Sequence, residues 1–534
     1  MLRATLATRG MVTAPHHLAA QAGLSVLREG GNAIEAMVAA ASTIAVVYPH
    51  MNGLGGDNFW LVSHKGAPPI AIDACGAAAA HATADFYADH GCATAIPARG
   101  PLSALTVAGA VSGWQAALEM SRARGGRLPL ARLFEDATHY ARHGVPVSGT
   151  QSRNSAAKRA ELEAVPGFAA QYLPGGAAPE TGALFRNPRL AATLDHLATA
   201  GLDDFYRGDL AATLAAELQS AGSPLTRADF ARHHALTLDP LALSLPHADV
   251  YGMPPPTQGL ASLMILGLFE RIKPTTADGF AHVHALVEAT KRAFMVRNAE
   301  VTDPAYMTAD PRAFLTNADL DARAALIDPA RALPWPHAAK PGDTVWLGAV
   351  DKDGTAVSFI QSIYWEFGSG VVLPTSGIVW QNRGTSFGLD PAHVNALRPH
   401  RRPFHTIQPA LALFRDGRVM PFGTMGGEGQ PQTKAALFTR YATYGQDLQA
   451  AITAPRWLLG RTWGAATDGL KIENRFPPEV IEALRTAGHE VEVVGAFEEM
   501  MGHAGAIVQH TSGSRAGVLE GASDPRSDGH AAGY

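Results

Sequence analysis

Apolar residues fall along this chain in two rhythms, and the change from one to the other divides it. In HHLAAQAGLSVLREGGN, from His16, they recur at three- and four-residue spacing. That predicts an amphipathic helix closed by Gly30 and Gly31, residues suited to a left-handed C-cap. A second helix follows at once through AMVAAASTIAVVYP, from Ala36. Its apolar run is interrupted by Ser42 and Thr43 and stops at Pro49, too short to span a bilayer, so it reads as a buried, Ala-rich helix. NGLGGDNFWLVSHKG is then a glycine-rich turn feeding a strand that breaks at Lys65-Gly66. From about Leu105 to Phe314 the pattern is predominantly helical, as in FAHVHALVEATKRAFMVRNAE, where apolar residues gather on one face. The second rhythm begins at Thr344. TVWLGAV, a turn at Asp353-Gly354 and TAVSFIQSI predict a hairpin, and further strand-like runs occur at GSGVVL, GIVWQN, PALALF and RVMPFG. Between the two regions, Ile327 to Asp343 carries four prolines and neither period. A connection of that length inside a compact protein is functional or disordered. Helix-rich followed by strand-rich predicts an α+β body in which helices cover sheets.

Composition narrows what such a body does. With 534 residues, 47% of them hydrophobic and 17% charged, the chain has ample core and an ordinary globular balance. A net charge of -5 gives no reason to expect nucleic acid or an anionic membrane as partner. Cys75 and Cys92 could pair, yet a chain this long does not need one disulfide, and nothing points to an oxidising compartment. The opening MLRATLATRGMVTAPHH lacks an apolar run of seven or more residues and a cleavage pattern after one. A soluble cytoplasmic protein is the expectation.

Most familiar chemical motifs are missing. There is no phosphate-binding G-x-x-x-x-G-K-[ST]; GLGGDN lacks the dinucleotide spacing and precedes a strand rather than a helix. No H-E-x-x-H occurs. His282 and His284 lie two apart on a predicted helix and His233-His234 are adjacent, so both pairs read as surface or core histidines before metal ligands. GTSFG, residues 384 to 388, matches G-x-S-x-G, but Pro391 argues for a loop where a nucleophile elbow needs a helix. Two features remain: Thr344 after a Gly-Asp at the head of a strand, and the glycine turn TMGGEGQ, residues 424 to 430. A strand-initial threonine needs no explanation beyond its β-branch. It is also a nucleophile that a free α-amino group on the same residue could activate, that amine titrating near neutrality. Consecutive glycines let the backbone approach a substrate closely and offer two N–H groups to a tetrahedral oxyanion. Spacing alone leaves both readings of Thr344 open, and Gly426-Gly427 equally a plain turn.

Longer stretches add a resemblance. GMVTAPHHLAAQAGLSVLREGGNAIEAMVAAA followed by GLGGDNF resembles the large-subunit N-terminus of the γ-glutamyltransferase family. DTVWLGAVDKDGTAVSFIQSIYWEFGSGVVLPTSGIVWQN resembles the start of that family's small subunit, and TAPRW, GASDPRS and the terminal AGY resemble its end. The family is similar to N-terminal nucleophile hydrolases, which implies a four-layer α-β-β-α sandwich made as one precursor that cuts itself before the nucleophile. Here that implies cleavage between Asp343 and Thr344 into a large subunit, 1-343, ending in the Pro-rich mobile connector, and a small catalytic subunit, 344-534, the two interleaving in one compact body. Thr344 falls on the nucleophile, Ser362 where the family has a threonine hydroxyl beside the new amine, and Gly426 and Gly427 on the oxyanion pair. No metal or organic cofactor is implied, and a homodimer is open to such large layered enzymes.

The pocket departs from the family pattern. An arginine that follows an Ala-Thr pair is replaced by Ala84 in ATADFY, and a substrate-gripping carboxylate by Ser386. A serine pair becomes His405-Thr406, an asparagine becomes Tyr364, and a Gln or Glu becomes Arg383. Losing the arginine and the acid removes the two charge-assisted contacts that would recognise an amino acid's zwitterionic end. Arg383, His405, Thr406 and Tyr364 are instead expected to bind a shorter anionic amide. With FHTIQP and MGGEGQPQT, this pattern is similar to the oxamate amidohydrolase branch of the family, implied in purine nitrogen salvage, which implies hydrolysis of oxamate to oxalate and ammonia. The plainer alternatives are a structural salt-bridge arginine at 383, a packed core histidine at 405 and an ordinary strand serine at 362. Two other functions stay open: a γ-glutamyl or other small acyl-amide enzyme, and a non-processing relative that binds a metabolite.

Overall fold

The structure, a computed structural model, describes residues 2–335, 343–460 and 469–534. The strands that build its two main sheets are, in chain order, β1 (Thr5–Ala7), β2 (Gly10–Ala14), β3 (Asp57–Ser63), β4 (Ile70–Ala74), β5 (Leu236–Leu238), β6 (Leu241–Ser244), β7 (Ala248–Gly252), β8 (Asp343–Asp351), β9 (Ala356–Tyr364), β10 (Ala410–Phe414), β11 (Val419–Thr424), β12 (Ala504–Gln509), β13 (Leu519–Ser523) and β14 (His530–Gly533). One seven-stranded antiparallel sheet runs β14-β2-β8-β9-β3-β4-β5 and the other β1-β13-β12-β11-β10-β7-β6. Both sheets thus combine strands from before and after residue 343.

The layering follows from a period of two along each strand. Phe59 and Leu61 of β3, Trp346 of β8 and Ile360 of β9 meet Leu411 and Ile507 of the opposite sheet in a core between the sheets. Their neighbours Trp60, Val62, Val345, Leu347 and Phe359 point the other way, into helices. The helix Ala33–Val47 fits there because it is buried at every position, as its Ala-rich run predicts. On the outer face of the second sheet, the helices Gly259–Ile272 and Phe280–Glu300 cover Val250, Ala412, Phe422 and Val508. The result is the expected α-β-β-α order. No described helix is long and apolar enough to cross a membrane.

Two sequence expectations change. Residues 236–252 form the edge strands β5 and β6 and the inner strand β7 inside the stretch read as helical, because strands of three to five residues are too short to establish a period. GSGVVL and GIVWQN form no strand; they meet at one bridge, Val372 to Val379, in a buried loop whose apolar residues pack against helices rather than pair in a ladder. Cys75 and Cys92 are both free thiols. The Pro-rich connector lies in part, at 336–342, outside the described residues. Its preceding stretch is held by one helix: Lys291 Nζ donates to Leu333 O at 2.6 Å and Leu333 N to Glu288 Oε2 at 3.1 Å.

Candidate active site

Three neighbouring strands place side chains at one end of the space between the sheets. Counting on from Ile360, Ser362 faces the opposite sheet, and Asp57, paired with Ser362 across the β9–β3 ladder, shares that face; Thr344, at the end of β8, turns its hydroxyl to Gln430, which follows β11. All three are buried. The β8–β9 register slips between Asp343 and Val345, so that Asp343 pairs with Tyr364 while Val345 pairs with Gln361. This bulge sits at Thr344 and re-aims the strand end, as bulges next to active sites do. Tyr364 adopts φ 81°, a left-handed conformation costly for a bulky residue, and its N–H donates to Ser362 Oγ at 2.8 Å. Gln430 Nε2 donates to Thr344 Oγ1 at 3.3 Å.

The glycine turn follows β11. Gly426 (φ 118°) and Gly427 (φ 50°) occupy conformations that side chains disfavour, which is why the turn needs glycine. Gly427 opens a 3-10 turn leading into the helix Gln430–Phe438. The first N–H groups of such a segment have no acceptor within it and are left for an external one, negative charge being favoured there. Behind the turn, Gln258 Nε2 donates both to Thr406 O at 2.6 Å and to Gly427 O at 2.8 Å. Arg297 supports Gln258 from below, donating to its Oε1 at 3.0 Å while pairing with Glu428 at 3.1 Å.

A cationic wall completes the region. Arg383 is wholly buried, its guanidinium 3.6 Å from the centroid of the Tyr364 ring, with Nη1 donating to Thr406 Oγ1 at 3.2 Å. Its Nε and Nη2 have no hydrogen-bond partner among the described residues. Burial pulls its pKa down to about 10, which leaves it charged at neutral pH. His405 packs edge-on against Phe59, and its Nε2 shares a 2.9 Å hydrogen bond with Asp57 Oδ2, while Nδ1 has no partner. Burial and the nearby Arg383 hold the imidazole well below its ordinary value and therefore neutral. Asp57 is pushed up to about 7 by burial, even though its Oδ1 accepts from Gly109 N at 2.9 Å, Gly76 N at 3.1 Å and Gln381 Nε2 at 3.1 Å.

Comparisons with known proteins give the family. The family model for gamma-glutamyltranspeptidase matches residues 19–534. The chain belongs to that family. It is 56% identical over 535 residues, all of both chains, to an oxamate amidohydrolase proenzyme from Klebsiella pneumoniae subsp. pneumoniae. It is 41% identical, again over both full lengths, to a glutathione hydrolase-like YwrD proenzyme from Bacillus subtilis. Among solved structures, a cephalosporin acylase from Bacillus halodurans superposes with a TM-score of 0.91 at 34% identity, covering 100% of this chain and 97% of that one. The chain is therefore a hydrolase of amide C–N bonds with the fold of N-terminal nucleophile hydrolases.

Every residue expected at the site falls in this one region of the family member. Thr344, Ser362 and Tyr364 meet at the bulge with Asp343; Gln258 ties Thr406 to Gly427 beside Gly426; and Arg383 bridges Tyr364 and Thr406. Ser386 turns its hydroxyl back to Arg383 O at 2.9 Å, and Ala84 begins the short helix Ala84–Asp89. The sequence reading missed Asp57, Gln258, Arg297 and Gln430. An acid inside GLGGDNF was the available signal for the first, since an aspartate among glycines and apolar residues that enters a buried strand must find partners.

Proposed function

We propose that this enzyme hydrolyses oxamate, and that it matures by cutting its own chain between Asp343 and Thr344 into segments 1-343 and 344-534. Scission turns the Thr344 nitrogen into an amine that takes the proton of its own hydroxyl. The Thr344 oxygen attacks the amide carbonyl, and the resulting oxyanion is met by the N–H groups of Gly426 and Gly427. The C–N bond breaks, ammonia departs with the transferred proton, and water cleaves the oxalyl ester. In balance, oxamate and water give oxalate and an ammonium ion. Ser362 steadies the new amine. The reading places the enzyme in the cytoplasm, in purine nitrogen salvage.

One observation carries the choice of substrate: a buried guanidinium with two unpartnered nitrogens stacked on Tyr364, the cross-strand partner of the residue preceding Thr344. Its unsatisfied donors ask for an anion close to the reacting carbonyl, and a planar fork suits a carboxylate. His405 and Thr406 flank it. The 56% identity to a protein named for oxamate supports the same substrate. A γ-glutamyl donor fits less well, since Ala84 and Ser386 supply neither cation nor anion for its amino-acid end.

The test has two arms. Wild type should run as fragments of about 36 and 20 kDa, in proportion to 343 and 191 of the 534 residues and 56.1 kDa, and Thr344→Ala as one inactive chain. Oxamate should be turned over and a chromogenic γ-glutamyl anilide should not. An uncut wild type that hydrolyses oxamate overturns the mechanism. Turnover of the anilide alone overturns the substrate, and an uncut, inactive wild type that oxamate stabilises makes the protein a binding relative.

A further inference from the structure

Cys75 stands beside the Asp57–His405 pair, and the processing and hydrolysis chemistry makes no use of it. One Sγ, one carboxylate oxygen and one ring nitrogen of these three residues lie within 4.8 Å of one another, and all three residues are buried. Sulfur, imidazole nitrogen and carboxylate oxygen are the donors that zinc takes in tetrahedral sites, three of them leaving a fourth position open. His405 is a neutral imidazole with an unpartnered Nδ1, the form in which histidine ligates. Cys75 also lines a cavity of about 210 Å³ with His233, Asp303, His400 and Arg402, which gives an approach other than the substrate's.

We propose that Asp57, Cys75 and His405 form a site for a zinc-like divalent cation that closes the enzyme when filled. Carboxylate and thiolate together cancel a dication. Arg383 and the Arg402–Asp73 ion pair, 2.7 Å apart, face the site; Arg402 already has its counter-charge, while the guanidinium of Arg383 opposes the cation and weakens its hold. The cation lies between Asp57 Oδ2 and His405 Nε2 in place of their hydrogen bond, the ring proton moving to the unpartnered Nδ1, and it binds the Cys75 sulfur as thiolate. The thiol proton, and that of Asp57 where the carboxyl carries one, go to solvent. Another buried group, His284, Glu288 and His489, lies equally close together but is already spoken for. Lys291 donates to Glu288 Oε1 at 2.7 Å, Leu333 N takes Oε2, and His284 shares one nitrogen with Asp328 O and the other with His489.

That filling the site stops turnover rests on the proposed function, since it withdraws His405 from the substrate; that the site binds metal does not. The probe is cobalt(II), titrated into processed enzyme carrying Cys92→Ser so that Cys75 is the one thiol. Saturation at a single equivalent with a thiolate-to-cobalt charge-transfer band is expected, abolished by zinc and by Cys75→Ser, with Cys75→Ala as the second variant if serine does not fold. Zinc should inhibit oxamate hydrolysis, and Cys75→Ser should keep basal turnover while needing about a hundredfold more zinc. A folded wild-type protein without the band overturns the site whatever the substrate proves to be. Zinc inhibition undiminished in Cys75→Ser overturns the closure.

Discussion

Replacing Arg383 by methionine removes a charge and a hydrogen-bonding fork while keeping much of the volume stacked on Tyr364. The structure sets the size of the effect. A guanidinium pulled from 12.5 down to about 10 carries a burial penalty of about 3 kcal/mol in the empty pocket. A substrate carboxylate meeting the unpartnered Nε and Nη2 recovers that penalty. Methionine gives the substrate no such return, so kcat/KM for oxamate should fall about 150-fold, the equivalent of about 3 kcal/mol. Oxamide, whose second amide replaces the carboxylate, never gained from the charge and should lose less than about tenfold. The assay is ammonia release from both substrates by wild type, Arg383→Met and Arg383→Lys. Lysine restores charge without the planar fork and should fall between the other two. Non-reacting oxalate should raise the melting temperature of wild type more than that of Arg383→Met. Equal losses on oxamate and oxamide would refute the idea that Arg383 reads the carboxylate and leave it a packing residue.

Gln258→Leu frees Gly427 O and Thr406 O from their common donor, so kcat should drop about ten- to a hundredfold with KM changed far less; a pure KM effect would contradict a role in fixing the glycine turn. Ser362→Ala should slow chain scission about tenfold and Ser362→Thr should not, read as the rate at which the full-length band disappears. For pH, Asp57 holds a proton in the folded state between its ordinary 3.8 and about 7 that the unfolded chain has released, so its contribution to stability declines as pH rises through that window. His405, kept neutral, has the opposite slope up to its ordinary 6.5. Asp57→Asn removes the first and uncovers the second, so its urea midpoint should climb more steeply than wild type's between about pH 5 and 6.5; parallel curves would show that the carboxyl is not titrating there.

What the sequence disclosed and what it withheld have physical causes. The β8–β9 hairpin and the helices His17–Arg28 and Ala33–Val47 are legible because each is long enough to show its period and has its own turn or cap chemistry, Asp353-Gly354 in one case and Asn32 with Glu35 in another. The strands β5 to β7 are too short for that, and Val371 to Val379 is a largely apolar loop joined by one bridge, Val372 to Val379, with no ladder. Site residues on motif-bearing segments, Thr344 and the two glycines, stand out in one dimension. Asp57 does not, because its meaning comes from His405, 348 positions away, and from a ladder partner on β9. Gln258 and Arg297 belong to helical segments whose composition gives no hint that they carry the glycine turn.

The mixing of strands in the two sheets bears on how such an enzyme can be cut without coming apart. The seams between the two stretches of chain are lateral: β14 to β2, β2 to β8, β9 to β3, β1 to β13 and β7 to β10. Severing the peptide bond before Thr344 breaks none of them, so the nicked molecule keeps the cohesion of the whole one. Assembly has no such freedom. Either stretch made alone would present unpaired strand edges flanked by apolar faces, a template for aggregation; scission must therefore come after folding, and separately produced halves should precipitate rather than find each other.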